Sequence, residues 1–152
     1  WSLESLAEIH EMVSSSDVGK RRRAADIFKE RLGQLEDKET AWMDLIRLIG
    51  DQNRDVRREA ARALGAAFPD VPDKETAWKH LIRLTGDQDS FVRWETALAL
   101  GAAFPDVPVK ETAWKDLIRL TGDRTAICEG KLFVLLGLLF PIFPIKRRPG
   151  RI

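Results

Sequence analysis

The chain contains one cysteine, Cys128, among 152 residues. No internal disulfide can form, and no cysteine spacing suits a metal. Histidine is nearly as scarce, with only His10 and His80. No Ser/His/Asp set, Cys/His set or Gly-rich phosphate loop can be assembled, so no enzyme and no cofactor or metal are expected. Long apolar runs are missing too. The strongest, Leu132 to Ile145, has 14 residues and two prolines, short of the roughly 20 that a membrane span requires. Trp1 to Ser16 is amphipathic and acidic, without the basic region of an export signal, and a cytoplasmic protein is expected. The start at Trp1 in place of Met reads as a fragment or a processed product. Charge of one sign is also absent: 25 Lys+Arg against 24 Asp+Glu give a net +1. That balance hides a division. Residues 124–152 carry six basic groups and one acid, which leaves 19 basic and 23 acidic groups in residues 1–123. The body is mildly acidic and the basicity sits in the tail, so the basic pI of the whole chain is not a nucleic-acid signal.

What the chain has is repetition. Asp37–Pro72 recurs as Asp73–Pro108 with 27 of 36 positions identical, and a third copy runs from Val109 to Asp123. A fixed period without insertions marks a repeat protein, whose units cannot bury their apolar faces alone and must stack. Within a unit, Trp42, Leu45, Ile46 and Ile49 fall on one face of a first helix, and Val56, Ala60, Ala63, Leu64 and Ala67 on one stripe of a second. Asp37 and Asp73 stand at N-cap positions; Val109 replaces them in the third copy. Gly50 and Gly86 are expected to end the first helices in a left-handed conformation. Phe-Pro-Asp-Val-Pro closes each unit, because its two prolines forbid further helix. A shift of 36 residues sets Leu6 under Trp42, Ile9 under Leu45, Val13 under Ile49, and Arg21, Arg22, Ala24 and Ala25 under Arg57, Arg58, Ala60 and Ala61. Residues 1–36 are therefore a degenerate earlier unit.

The expected organisation is a repeat array over residues 1–123, in units of about 1–36, 37–72, 73–108 and a partial 109–123, then a non-repeat tail over 124–152. Antiparallel helix pairs are expected at 2–14 with 17–33, 38–50 with 53–67, 74–86 with 89–103, and 110–122 with a tail helix. The pattern Asp55–Gly65, DVRREAARALG, resembles the HEAT-like repeats related to phycocyanobilin lyase proteins. Trp114–Asp123, WKDLIRLTGD, is similar to the variant found in tandem arrays of methanogenic archaea. The resemblance covers residues 2–123 and implies an all-α, right-handed α-solenoid. It also implies a non-catalytic protein-binding scaffold, with accessory or catalytic lyase- or hydroxylase-related proteins as the second class. His10-Glu11 resembles one His-Glu pair of HEAT-like di-iron hydroxylases, which need several such pairs.

The tail has neither the period nor the composition of the array. Read two bases on, plausible codons for it spell a continuation that restores AAFPD, the next proline and the Trp-Lys-Asp of a further unit. A one-base deletion explains this, with a genuine unrelated segment as the alternative. The chain is expected to be monomeric, with self-association through the apolar tail as the competing state.

Two kinds of position remain as candidates. Arg57 and Arg93 recur with the period, as do Asp51, Asp87 and Asp123, which suggests an inter-repeat ladder; a row of partner-binding guanidiniums is the other reading. More informative are positions where units differ. Asp55, Arg58 and Arg62 of the second helix become Phe91, Trp94 and Leu98 one unit later. An apolar stripe where the sibling helix is charged marks a contact surface for a protein or peptide; cover by the next unit is the structural alternative. Phe91, Trp94, Leu98, Arg58 and Arg62 are thus the candidate partner-binding residues. Lys20 to Arg23 with Arg54, Arg57, Arg58 and Arg62 could track phosphates, as in α-solenoid DNA glycosylases. Asp26, Asp51, Asp55 and Glu59 interleave with them, so a salt-bridged face is favoured over nucleic acid. His80 is expected on the exposed side of its helix.

Overall fold

The structure, a computed structural model, describes residues 4–121. Asp123 and the tail, with the frameshift, tail-helix and self-association readings, lie outside the described residues. The described chain forms seven α-helices and no strand: α1 (Leu6–Val13), α2 (Val18–Arg31), α3 (Lys38–Ile49), α4 (Arg54–Ala67), α5 (Lys74–Leu84), α6 (Ser90–Ala103) and α7 (Lys110–Thr121). Each of the first three units is a first helix, a polar break and a second helix that runs directly into a 3-10 turn at Leu32–Gln34, Phe68–Asp70 or Phe104–Asp106; α7 is the first helix of the fourth. The chain is an all-α solenoid.

Caps set most helix starts. Asp37 accepts from the Thr40 amide at 3.0 Å and Asp73 from the Thr76 amide at 3.0 Å. Asn53 and Asp89 cap α4 and α6, and Ser5 forms a reciprocal capping box with Glu8. The expected left-handed glycine ends do not occur. Gly50 has φ −94°, and the chain tightens through Gly50 N–H to Arg47 O and Asp51 N–H to Leu48 O, both 3.2 Å. The tighter end turns Asp51 back so that its carboxylate accepts the Asn53 amide at 2.8 Å. Asp87 does the same for Asp89 at 2.9 Å.

Second helices form the close-packed layer, α2 on α4 on α6; first helices contact one another less. Small residues permit this. Ala24, Ala25, Ala60, Ala61, Ala63, Ala97, Ala99 and Ala103 are all buried. Gly65 sits where a Cβ would lie 2.7 Å from Cα and Cβ of Ala99, so α4 and α6 meet almost backbone to backbone. Phe28, Phe68 and Phe104 are fully buried, and so are Leu45, Leu64, Leu81 and Leu100. The periodic tryptophans Trp42, Trp78 and Trp114 are buried. Phe104 lies between two of them, 6.3 Å from Trp78 and 6.1 Å from Trp114 by ring centroids.

The recurrent arginines form an inter-repeat ladder. Arg57 donates through Nε and Nη2 to Asp87 of the next unit at 2.8 and 3.2 Å, and through Nη1 to the Asp51 and Gln52 carbonyls at 2.9 and 3.0 Å. Arg21 repeats the geometry one unit earlier, on Asp51 at 2.8 and 3.2 Å and on the Ser15 carbonyl at 2.9 Å. Arg93 holds the Asp87 carbonyl at 2.7 Å. Arg21 and Arg57 thus each fix their own inter-helix break and grip the next one, while Arg93 fixes its own. The planar guanidinium fork matches a carboxylate in a way a lysine cannot.

One expectation fails on the first-helix side. His80 is half-buried, packed edge-on against Trp42 with ring centroids 6.4 Å apart. The cause is its place at the α3–α5 junction, where the preceding tryptophan needs cover. Asp44 and Asp116, at the same position in other units, also serve junctions. Buried Asp44 receives His10 Nδ1 at 2.9 Å, and Asp116 receives Trp78 Nε1 at 3.2 Å.

Candidate partner-binding face

The 36-residue period turns the outer surface of the second helices into a lattice, with rows running across α2, α4 and α6. One row reads Arg22, Arg58, Trp94; the next, Asp26, Arg62, Leu98; a third, Arg23, Glu59, Glu95. The surface changes from charged to apolar along the array. Phe91 and Leu98 are 61% and 48% exposed, and Trp94 between them is half-buried. These are the three apolar candidates, and all lie on α6.

The two arginine candidates belong to a charge network on α4. Arg62 Nη2 donates to Glu95 Oε1 at 2.7 Å and Arg62 Nη1 stands 3.6 Å from Glu59. The Glu95 bond raises the Arg62 guanidinium pKa above its ordinary value; burial opposes it. Arg58 and Arg22 approach the same Glu59 carboxylate at 3.8 and 3.9 Å. Glu59 therefore stands among three guanidiniums from two helices, all within 4 Å, and Glu95 extends the network to α6. Sequence reasoning did not single out Glu59 and Glu95 as organisers. The signal was their identity at equivalent positions beside residues that differ.

Between α4 and α6 runs a shallow groove of about 360 Å³, lined by Arg62, Gly65, Ala66, Glu95, Leu98 and Ala102. It exists because Gly65, Ala66 and Ala102 present almost no side chain between the taller Arg62–Glu95 pair and Leu98. A second, apolar groove lies between α5 and α7, lined by Trp78, Val107, Pro108, Val109 and Thr112 among others.

The basic run does not form one stripe. Arg21 is committed to Asp51, Arg22 faces Glu59, and Arg23 bonds Glu4 at 3.3 Å. Arg54 pairs with Asp89 at 3.4 Å, and Arg57 is buried on Asp87. Among the described residues no group of three or more His, Cys, Asp and Glu side chains is placed to hold a metal, and no helix is long and apolar enough to cross a membrane. His10 is bonded to Asp44.

Comparison with protein families matches two overlapping stretches, residues 6–101 and 43–126, to HEAT repeats. Comparisons with curated proteins and with solved structures gave no match. The family match spans most of the chain and coincides with the stacked helix pairs and their arginine ladder: the chain belongs to the HEAT-repeat family.

Proposed function

We propose that this HEAT-repeat chain is a non-catalytic interaction scaffold that binds a protein or peptide through its face of second helices. One observation carries the reading: α6 holds Phe91 and Leu98 in solvent at positions where α4, its near-copy, holds Asp55 and Arg62. Exposed apolar side chains in a row gain nothing from water, and contact surfaces are rich in them. The pairing of Arg21, Arg23, Arg54 and Arg57 with acids supports protein over nucleic acid as the partner. A cytoplasmic setting, in keeping with a single cysteine, belongs to the same proposal.

Site-specific photo-crosslinking in extract of the native cell tests it. A crosslinker at position 98 or 91 should capture a discrete protein, and one at the exposed Met43 on α3 should not. Equal labelling from all three positions, or none from position 98, removes the second-helix face as the binding surface.

A further inference from the structure

We infer that the face of second helices takes an extended acidic–apolar peptide, with carboxylates over Arg22 and Arg58 and an apolar side chain over Leu98. This inference names the partner class for the protein-binding reading and rests on it. Charge complementarity makes the choice. The acids of the network lie underneath: the Glu59 and Glu95 side chains are 8% and 12% exposed, whereas those of Arg22, Arg58 and Arg62 are 44%, 30% and 43% exposed. Solvent over α2 and α4 therefore meets mainly guanidinium, although carboxylates balance it below. Of the acids nearby on α2, Asp26 is paired with Lys29 at 3.8 Å, and the exposed Glu30 stands one turn further along, past Arg22 and in the row of Ala66 and Ala102. Asp55 stands one turn nearer the start of α4 than Arg58, at the edge of the face.

The guanidiniums differ in what they have left to give. Arg62 is bonded to Glu95 and makes one wall of the groove. Arg22 and Arg58 stand 3.9 and 3.8 Å from Glu59, beyond hydrogen-bond length. Arg58 Nε is buried without a hydrogen-bond partner. An incoming carboxylate would accept the charge-assisted bonds that Glu59 is too distant to take. One helix further, Leu98 and the Gly65–Ala102 groove offer an apolar shelf with no charge to satisfy beyond the Arg62–Glu95 pair.

Spacing fixes the register. Packed helices lie about 8–10 Å apart, and extended chain advances about 3.3 Å per residue. A peptide crossing α2, α4 and α6 therefore spends about three residues on each. The matching pattern is acid, two residues, acid, two residues, apolar.

The test is fluorescence anisotropy of the full chain with fluorescein-labelled ten-residue peptides. One carries glutamates three apart followed, three residues on, by leucine, made in both chain directions. The second has lysine for glutamate; the third has the same composition with the spacing scrambled. A single-stranded oligothymidylate is the fourth probe. The spaced acidic peptide should bind in one direction at least tenfold tighter than the lysine and scrambled ones, and more weakly as salt rises. R22S/R58S and, separately, L98E should each weaken it about tenfold, with melting curves showing that both variants are folded; L98E alters an exposed site and guards against loss of fold in the double variant. Equal binding of the lysine peptide, indifference to both variants, or tighter binding of the oligothymidylate would overturn the inference. If no acidic peptide binds while position 98 still crosslinks a protein, the partner chemistry is wrong and the face survives; if both fail, the face itself is wrong.

Discussion

Trp78 shows how one residue supports two junctions. Its indole packs against Phe104 at the end of α6, and its N–H reaches Asp116 on α7. Trp78→Ala should destabilise the protein by about 3–5 kcal/mol, the range for large aromatic truncations in a core, measured by urea unfolding; a loss under 1 kcal/mol would show that the junction closes over the gap. His80 gives the residue scale its pH dependence. Burial, then the charge of Arg83, depresses its pKa below the ordinary 6.5. The neutral ring is the folded form, so its contribution is complete above pH 6.5 and is lost as pH falls through the lowered folded value. H80Q should therefore lose less stability than the parent between pH 7.5 and 5, and parallel stability–pH curves would remove His80 as a source of the slope. The tryptophan positions and the Arg57–Asp87 pairing were legible in the sequence, since the period repeats them. The half-burial of His80 was not, because only the preceding unit's Trp42 creates it.

At the scale of the element, helix bounds were readable and the backbone form of the first-helix ends was not. An N-cap is a local event: Asp37 and Asp73 bond amides three residues on, and type and position suffice to name them. The carboxyls of both lie below their ordinary range because the Thr40 and Thr76 hydroxyls, then the backbone amides, donate to them. The form of those first-helix ends depends on what the neighbouring unit demands. Gly50 stays right-handed because Asp51 must face both the Asn53 amide and Arg21. Val109, which stands at the cap position of α7, is exposed and has no side-chain acceptor. V109D should stabilise the chain by about 1 kcal/mol, read as a higher urea midpoint with unchanged slope. No gain, or a loss, would mean that the Val107–Val109 side of the α5–α7 groove needs the apolar side chain more than the helix needs its cap. The candidate stripe on α6 was visible only as a departure of one second helix from its sibling. Glu59 was visible in the sequence only as one of the acids among the arginines; that it lies beneath three guanidiniums depends on the packing of α2 on α4.

For the whole molecule, the ladder determines how stability is shared. Arg57 and Asp87 are both largely buried and bonded across a unit boundary, and removing one partner of such a pair typically costs about 3–5 kcal/mol. In a stacked array that loss falls on nearest neighbours, because each unit touches only the units beside it. R57A should therefore decouple units two and three while Arg21 and Asp51 still join units one and two. Native-state hydrogen exchange should show faster amide exchange in α5 and α6, with the amides of α2 nearly unchanged. R57K should behave almost as badly, since an ammonium cannot bond Asp87 side-on and two carbonyls at once. If protection falls equally in α2 and α6, the array unfolds as one cooperative block and the close α2–α4–α6 layer, not the ladder, sets its stability. If it falls only in α6, the second-helix face can loosen at its apolar end without melting the charged end. That outcome would give the proposed binding surface a rigid anchor over α2 and α4 and an adjustable shelf over α6.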